Sequence, residues 1–554
     1  MTRARSQVPG RLARAAALAV ALAACGRAND GKAPAPIPAA TPVAGGSAVI
    51  ATITDLGGVN PLITSDIKFT SDILGRFFLQ LAIEQADYAE HPPTLRPGLA
   101  ESWEFSPDHT LLTFHLRPGL AWSDGAPLTA EDVRWTWLAE TSPEVAWNYS
   151  ETKQNISDVE VLDPRTVRFH FRATGVTQLL DAVEGGILPK HLWGTVPFAE
   201  WRQRADWFRD HLATSGPFLL AEWKPGEQLV LGRNPRYFEP GLPRLDRVVF
   251  RILPDQTAQL EMLLGGQLDF VWGILPRDAE RVRQRPGLEL LHFDNRQYEY
   301  ICWNSRRPPF DDPEIRRALT LGIDRQALVD ALLRGFGRIA TTAILTNVWA
   351  YDRDLRPWPY DPAEARRILA ARGFRDSDGD GIVERGGKPF SFELTTNSSN
   401  QQRIDATVMV QDQLRRIGVE ARPRTLEIHT LTRNNVAHDF DATLSGWAID
   451  TSLDLGFAFH SREIDSGYNF GSYRDPELDS LIERSRAVLD PAAGLAIYRR
   501  MQEILHRDQP YTFLYEPERL CGVSRSVRDV HPNSLSAYFN LHEWWRSPPP
   551  GPAP

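Results

Sequence analysis

The chain has 554 residues, of which 42% are hydrophobic, 24% charged and 10% aromatic. At roughly 150 residues per domain this length predicts three or four domains, and the composition excludes a disordered, collagen-like or multi-span membrane protein. Sixty-two basic against 71 acidic residues, a net charge of −9, argue against a nucleic-acid partner held through phosphates. Three cysteines are too few for a disulfide framework or a cysteine-rich metal site. Sixteen tryptophans require large aromatic cores or an aromatic-lined ligand cavity.

Arg3, Arg5, Arg11 and Arg14 precede an apolar run from Ala15 to Cys25. Eleven residues cannot span a bilayer, so the run reads as the h-region of a secretory signal. It ends in Leu22-Ala23-Ala24-Cys25, which resembles the bacterial lipobox and implies acylation of the Cys25 thiol. The other readings are an ordinary signal peptide with a chance cysteine, or a short core helix. From Gly26 to Ser47 the sequence is rich in Ala, Pro and Gly, and it cannot bury enough apolar surface to offset its ordering entropy. Such a coil forms a tether with a reach on the order of 25 Å.

Within the body, Leu112, Phe114 and Leu116 alternate with polar residues, as do Val167, Phe169 and Phe171. Period two predicts half-buried antiparallel strands. Thr129 and Asp132 predict a helix start, with Val133 and Trp137 facing inward. Further on, Asp312-Pro313, Asp361-Pro362, Asp475-Pro476 and Asp490-Pro491 each place an N-cap before a proline at the first helical position. Gly335 and Gly373 predict helix ends, and strands are expected at 389–396, 419–425, 440–446 and 511–516. The pattern is that of an α/β protein with mixed sheets.

Catalytic signatures are missing: there is no nucleophile elbow, no His-Glu-x-x-His, no phosphate-binding loop and no Cys-x-x-Cys. The metal-like string is Asp376-Ser377-Asp378-Gly379-Asp380-Gly381, with Glu384 beyond it. Its twelfth position, which should be a bidentate acid, is Gly387, so a polar hairpin turn is the competing reading. Cys302 and Cys521 are open to two readings, a disulfide of an exported protein or two buried thiols on separate strands.

An ordered series of motifs then becomes recognisable. Leu99-Ala100-Glu101-Ser102-Trp103-Glu104 precedes Phe114-His115-Leu116-Arg117-Pro118-Gly119, Trp122-Ser123-Asp124-Gly125 and Leu128-Thr129-Ala130-Glu131-Asp132-Val133. Ser215-Gly216-Pro217-Phe218, Glu222-Trp223-Lys224-Pro225-Gly226-Glu227 and Arg233-Asn234-Pro235 follow, then Pro309-Phe310-Asp311-Asp312 and Tyr473-Arg474-Asp475-Pro476. Over about 50–520 this series resembles the family 5 extracellular solute-binding proteins, the oligopeptide and dipeptide receptors of ABC importers.

The resemblance implies a two-lobed α/β periplasmic-binding-protein fold (type II) with an extra β-rich domain in the first lobe. The implied division is signal peptide 1–25, tether 26–47, first lobe 48–85, extra domain 86–190, first lobe 191–280, second lobe 281–500, return 501–546 and a disordered tail 547–554. It also implies a non-enzymatic, lipid-anchored, exported monomer that needs no cofactor and delivers a peptide-like solute to an ABC permease and ATPase.

By the same resemblance Asp450, in Gly446-Trp447-Ala448-Ile449-Asp450, neutralises the ligand ammonium. The backbone at Gly446 and Trp447 pairs with the ligand, Tyr300 contacts it, and Ser65 and Asp66 lie on the first lobe's cleft segment. Read without the resemblance, Asp450 is a solvated loop acid and Trp447 a core aromatic. The sequence departs from the family at Thr451-Ser452-Leu453-Asp454, which lacks a proline, at Leu444, an arginine in some oligopeptide receptors, and at Ile428, where an aromatic is expected. An oligosaccharide or metal complex therefore remains an alternative ligand, and an exported hydrolase or a signalling or chaperone lipoprotein an alternative class.

Overall fold

The structure is a computed structural model, and it describes residues 41–64, 68–450 and 452–548. Backbone pairing begins at Gly45, whose N–H donates to Arg244 O at 2.8 Å, slightly before the expected end of the tether. At the other end Ser547 N–H still donates to Ser526 O at 2.8 Å, inside the segment read as a disordered tail. Cys25, Ser65 and Asp66 lie outside the described residues.

The fold is the expected two-lobed mixed α/β arrangement, organised by one 12-stranded sheet. In the first lobe, Ser47–Thr52 lies parallel to Arg247–Ile252 on one side and to Phe270–Trp272 on the other. In the second lobe, Gln297–Trp303 and Ala442–Ala448 run antiparallel, and Ser391–Asn397 and Glu420–Leu426 continue the sheet in parallel. The 14-residue strand Tyr511–Ser524 joins them. Tyr511–Tyr515 pairs with Gln297–Trp303, and Glu518–Ser524 pairs with Leu288–Asp294. Two lengths of strand therefore pass between the lobes side by side.

The paired strand predictions around 110–172 come together in a separate four-stranded antiparallel sheet. Its strands are Ala100–Phe105, Leu111–Leu116, Thr166–Phe171 and Ile156–Asp163, in that order. Against it lies the helix Ala130–Glu140, opened by a capping box in which Thr129 N–H donates to Asp132 Oδ2 at 2.9 Å. All four Asp-Pro pairs cap helices. Asp312, Asp361, Asp475 and Asp490 accept the N–H groups of Glu314, Glu364, Leu478 and Ala492 at 2.8–3.1 Å.

Along Gln297–Trp303 every side chain but the first is buried, with Tyr298, Tyr300 and Cys302 in one core and Ile301 and Trp303 in the other. A sheet covered on both faces gives that continuous burial rather than alternation. The tryptophans go mainly to such cores: Trp122, Trp193, Trp201, Trp303 and Trp544 are almost wholly enclosed. Cys302 and Cys521 are free and buried. Cys302 stands opposite Tyr511 in the ladder, so Cys521, ten positions along the same strand, is roughly 30 Å away. A disulfide needs the two Cα atoms within about 7 Å.

Candidate functional site

Between the lobes lies a cavity of about 950 Å³. Three strands end in it by their carboxyl termini: Ser47–Thr52, which continues into Ile53 and Thr54, Phe270–Trp272 and Ser391–Asn397. That is where ligands gather in open α/β sheets, because the backbone turns there into loops and helix N-termini. The second lobe supplies the polar run Asn397, Ser399, Asn400, Gln401 and Gln402. Asn400 caps the helix Gln401–Arg415, its side chain accepting Arg403 N–H at 3.1 Å. The first lobe supplies Thr52, Thr54, Gln256, Gln259 and an ion pair between Lys68 and Asp72.

The floor is made by the crossing strands. Glu299, 4% exposed at its side chain, takes Arg403 in a two-pronged pair, Nε to Oε2 at 2.8 Å and Nη2 to Oε1 at 3.2 Å. Burial pulls the Arg403 guanidinium down, and Glu299 more than reverses this, holding it above its ordinary value. Gln297 Nε2 donates to Glu299 Oε1 at 2.6 Å, while Gln297 Oε1 accepts from Arg519 Nη2 at 3.1 Å. Arg519 also lies over the Trp272 ring at 5.9 Å.

The residues singled out from sequence occupy a neighbouring position. Gly446 stands opposite Glu299 in the ladder, and a Cβ there would come within 2.6 Å of both Glu299 Oε1 and Arg403 Nη2. Trp447 is half-buried among Tyr300, Phe457, Tyr468 and Phe470, with ring centroids 5.0–6.1 Å apart. Tyr300 is 1% exposed and stacks on Tyr511 at 4.2 Å, so it backs Trp447 and does not face solvent. Asp450 is exposed just beyond the strand, and its Oδ1 accepts from Ser452 N–H at 3.0 Å and Ser452 Oγ–H at 2.6 Å.

None of these four lines the 950 Å³ cavity, although Gly446 backs its wall through Glu299. Asp450 nevertheless lies beside the seam of the lobes. Its neighbour Ile449 donates to Arg296 O at 2.7 Å, and the Arg296 guanidinium faces Tyr88 and Glu84 of the first lobe. Leu444 is wholly buried in the core and Ile428 is exposed on a helix.

Sequence reading missed Glu299, Arg403, Gln297 and Arg519. The run Asn397-Ser398-Ser399-Asn400-Gln401-Gln402, polar throughout and set between a strand and a helix, was a usable signal. The Asp376, Asp378, Asp380 and Glu384 carboxylates do gather within 4.8 Å of one another, on an exposed turn. Their oxygens accept the turn's own N–H groups, Gly379 to Asp376 at 2.7 Å and Ile382 to Asp380 at 2.7 Å, as a polar hairpin requires.

Residues 94–463 match the family described as bacterial extracellular solute-binding proteins, family 5 Middle. The oligopeptide-binding protein AppA of Bacillus subtilis (strain 168) is 30% identical over 533 residues, 95% of this chain and 96% of that protein. The solved structure of that AppA with a nonapeptide superposes with a TM-score of 0.75, covering 92% of this chain and all of the other. NikA from Brucella suis, solved with Fe(III)-EDTA, shares the fold at a TM-score of 0.80 and 21% identity, over 91% of this chain and 100% of its own.

Proposed function

Because the chain belongs to the family 5 bacterial extracellular solute-binding proteins, we propose that it captures peptides between its lobes and hands them to an ABC permease. The observation that carries this reading is the cavity walled by both lobes at the carboxyl ends of their strands. About 950 Å³ is the upper end of ordinary small-ligand sites, room for an extended ligand of several atoms' width. An extended peptide offers N–H and C=O groups along its length, and the amides of Gln256, Asn400 and Gln402 can meet them without reading side chains.

The relative AppA is named an oligopeptide-binding protein and was solved with a nonapeptide, which favours the same ligand class here. Oligosaccharide capture would call for stacking faces, and among the described residues Trp272 is the tryptophan lining the cavity. The work required is binding and release, without bond cleavage. Export and a lipid anchor at Cys25 complete the proposal, resting on the Leu22-Ala23-Ala24-Cys25 motif and the family.

In this reading Asp450 pairs with the ligand ammonium, the Gly446 and Trp447 backbone pairs with the ligand, and Tyr300 stiffens Trp447 from behind. Ser65 and Asp66 contribute from the first lobe. Closure would enclose the ammonium, and breaking such a pair from one side costs about 3–5 kcal/mol, a hundredfold or more in affinity. Calorimetry on wild type and Asp450→Asn, with free and N-acetylated peptide, tests it. The acetylated peptide should bind wild type weakly, and Asp450→Asn should narrow the gap. Equal losses for both peptides would remove Asp450 from the site.

A further inference from the structure

The floor of the cavity holds more positive charge than its own partners neutralise. Arg403 and Arg519 both reach the Gln297–Glu299 stretch, and Glu299 is the carboxylate bonded there. Its two oxygens are already taken by Arg403 and by the Gln297 amide. Among the described residues no carboxylate lies within ion-pairing distance of Arg519, whose contact is a neutral amide oxygen. Its Nε–H is buried and has no acceptor.

The other acids of the cavity are engaged or remote from need. Glu518 is held by His292 at 2.7 Å, Asp72 by Lys68, and Asp405 is exposed and bonded by Gln401 at 2.8 Å. A guanidinium has five N–H donors, and one left desolvated without an anion is costly. Burial correspondingly pulls the Arg519 pKa down, with Glu299 too weakly coupled to restore it.

Resting on the peptide reading above, we propose that Arg519 is the anchor for a ligand carboxylate. The receptor therefore takes peptides by an acidic group lodged on the cavity floor over Trp272. The flat fork of Arg519 suits a carboxylate in two-pronged geometry, and its Cζ lies 5.9 Å from the centroid of the Trp272 ring. The carboxylate is the C-terminus of the bound peptide or an acidic side group along it.

The test uses the full-length protein and two randomised nonapeptide pools, identical but for a free acid or an amide at the C-terminus, with bound peptides read by mass spectrometry. Wild type should enrich free acids over amides at least tenfold, or, in the amide pool, sequences containing Asp or Glu. The first outcome assigns the carboxylate to the C-terminus and the second to a side chain. Arg519→Gln should bring that preference to near one, and Arg519→Lys should retain part of it. A melt without peptide checks folding; a purely structural role would lower retention of every peptide alike, which would overturn the proposal. Equal wild-type enrichment of acids and amides, with no acidic bias, overturns it while leaving peptide capture standing. Retention of neither pool overturns both.

Discussion

Glu140 and Lys153 face each other 3.5 Å apart inside the first lobe, both almost fully buried. Lys153 Nζ donates to Asp181 O and Glu184 O, each at 2.6 Å, so its charge is shared among backbone dipoles. Burial pushes the Glu140 carboxyl up to about 7, against the pull of Lys153, and Asp181 up to about 6. A folded-state value above the unfolded 4.5 means the native form holds its proton more tightly. That contribution is fully present below pH 4.5 and is lost as pH rises through about 7. Unfolding free energy should therefore fall between pH 5 and 8, by up to about 3 kcal/mol from Glu140. Glu140→Gln should flatten the profile in urea titrations across that range. A variant whose profile parallels wild type would exclude Glu140 as the cause.

The strand Ala442–Ala448 shows the same dependence on close fit at the scale of an element. Its Gly446 leaves the room that the Glu299–Arg403 pair occupies, so Gly446→Ala should push two locked side chains apart. A buried pair forced open loses up to about 3–5 kcal/mol. Denaturant unfolding should show a loss of this order for Gly446→Ala, and a change within about 0.5 kcal/mol would mean the pair relaxes freely.

Elements with local signals were legible in the sequence. Period two gave Leu111–Leu116 and Thr166–Phe171, and Asp-Pro pairs gave four helix starts. The long strand Tyr511–Ser524 was read only to 516, because Pro517 interrupts the strand pattern. In the fold that proline falls in the gap between Tyr515, opposite Glu299, and Glu518, opposite Asp294, while its other edge stands opposite Gly337 at the end of the short strand Gly337–Ile339. The floor of the site was illegible for another reason. Glu299 and Arg403 lie 104 positions apart and Gln297 and Arg519 222 apart, distances over which no periodicity speaks.

At the scale of the whole molecule, two antiparallel lengths of strand cross between the lobes, and the apolar cores touch beside them, Tyr88 packing among second-lobe residues and Phe336 among first-lobe ones. Contacts away from the crossing also bridge the lobes. Trp349 N–H donates to Tyr88 O at 2.8 Å, and Val176 N–H to Arg486 O at 3.3 Å. These contacts lie outside the crossing strands and have to part when the lobes open as a hinge around a ligand. On this reading the cavity between the lobes is a peptide site. Native mass spectrometry of the freshly purified protein tests it most directly. Bound masses should fragment as peptides and be depleted in Asp450→Asn. Peptide adducts undiminished in that variant would remove Asp450 alone from the site, whereas a bound hexose ladder or a metal complex in place of peptides would contradict peptide capture.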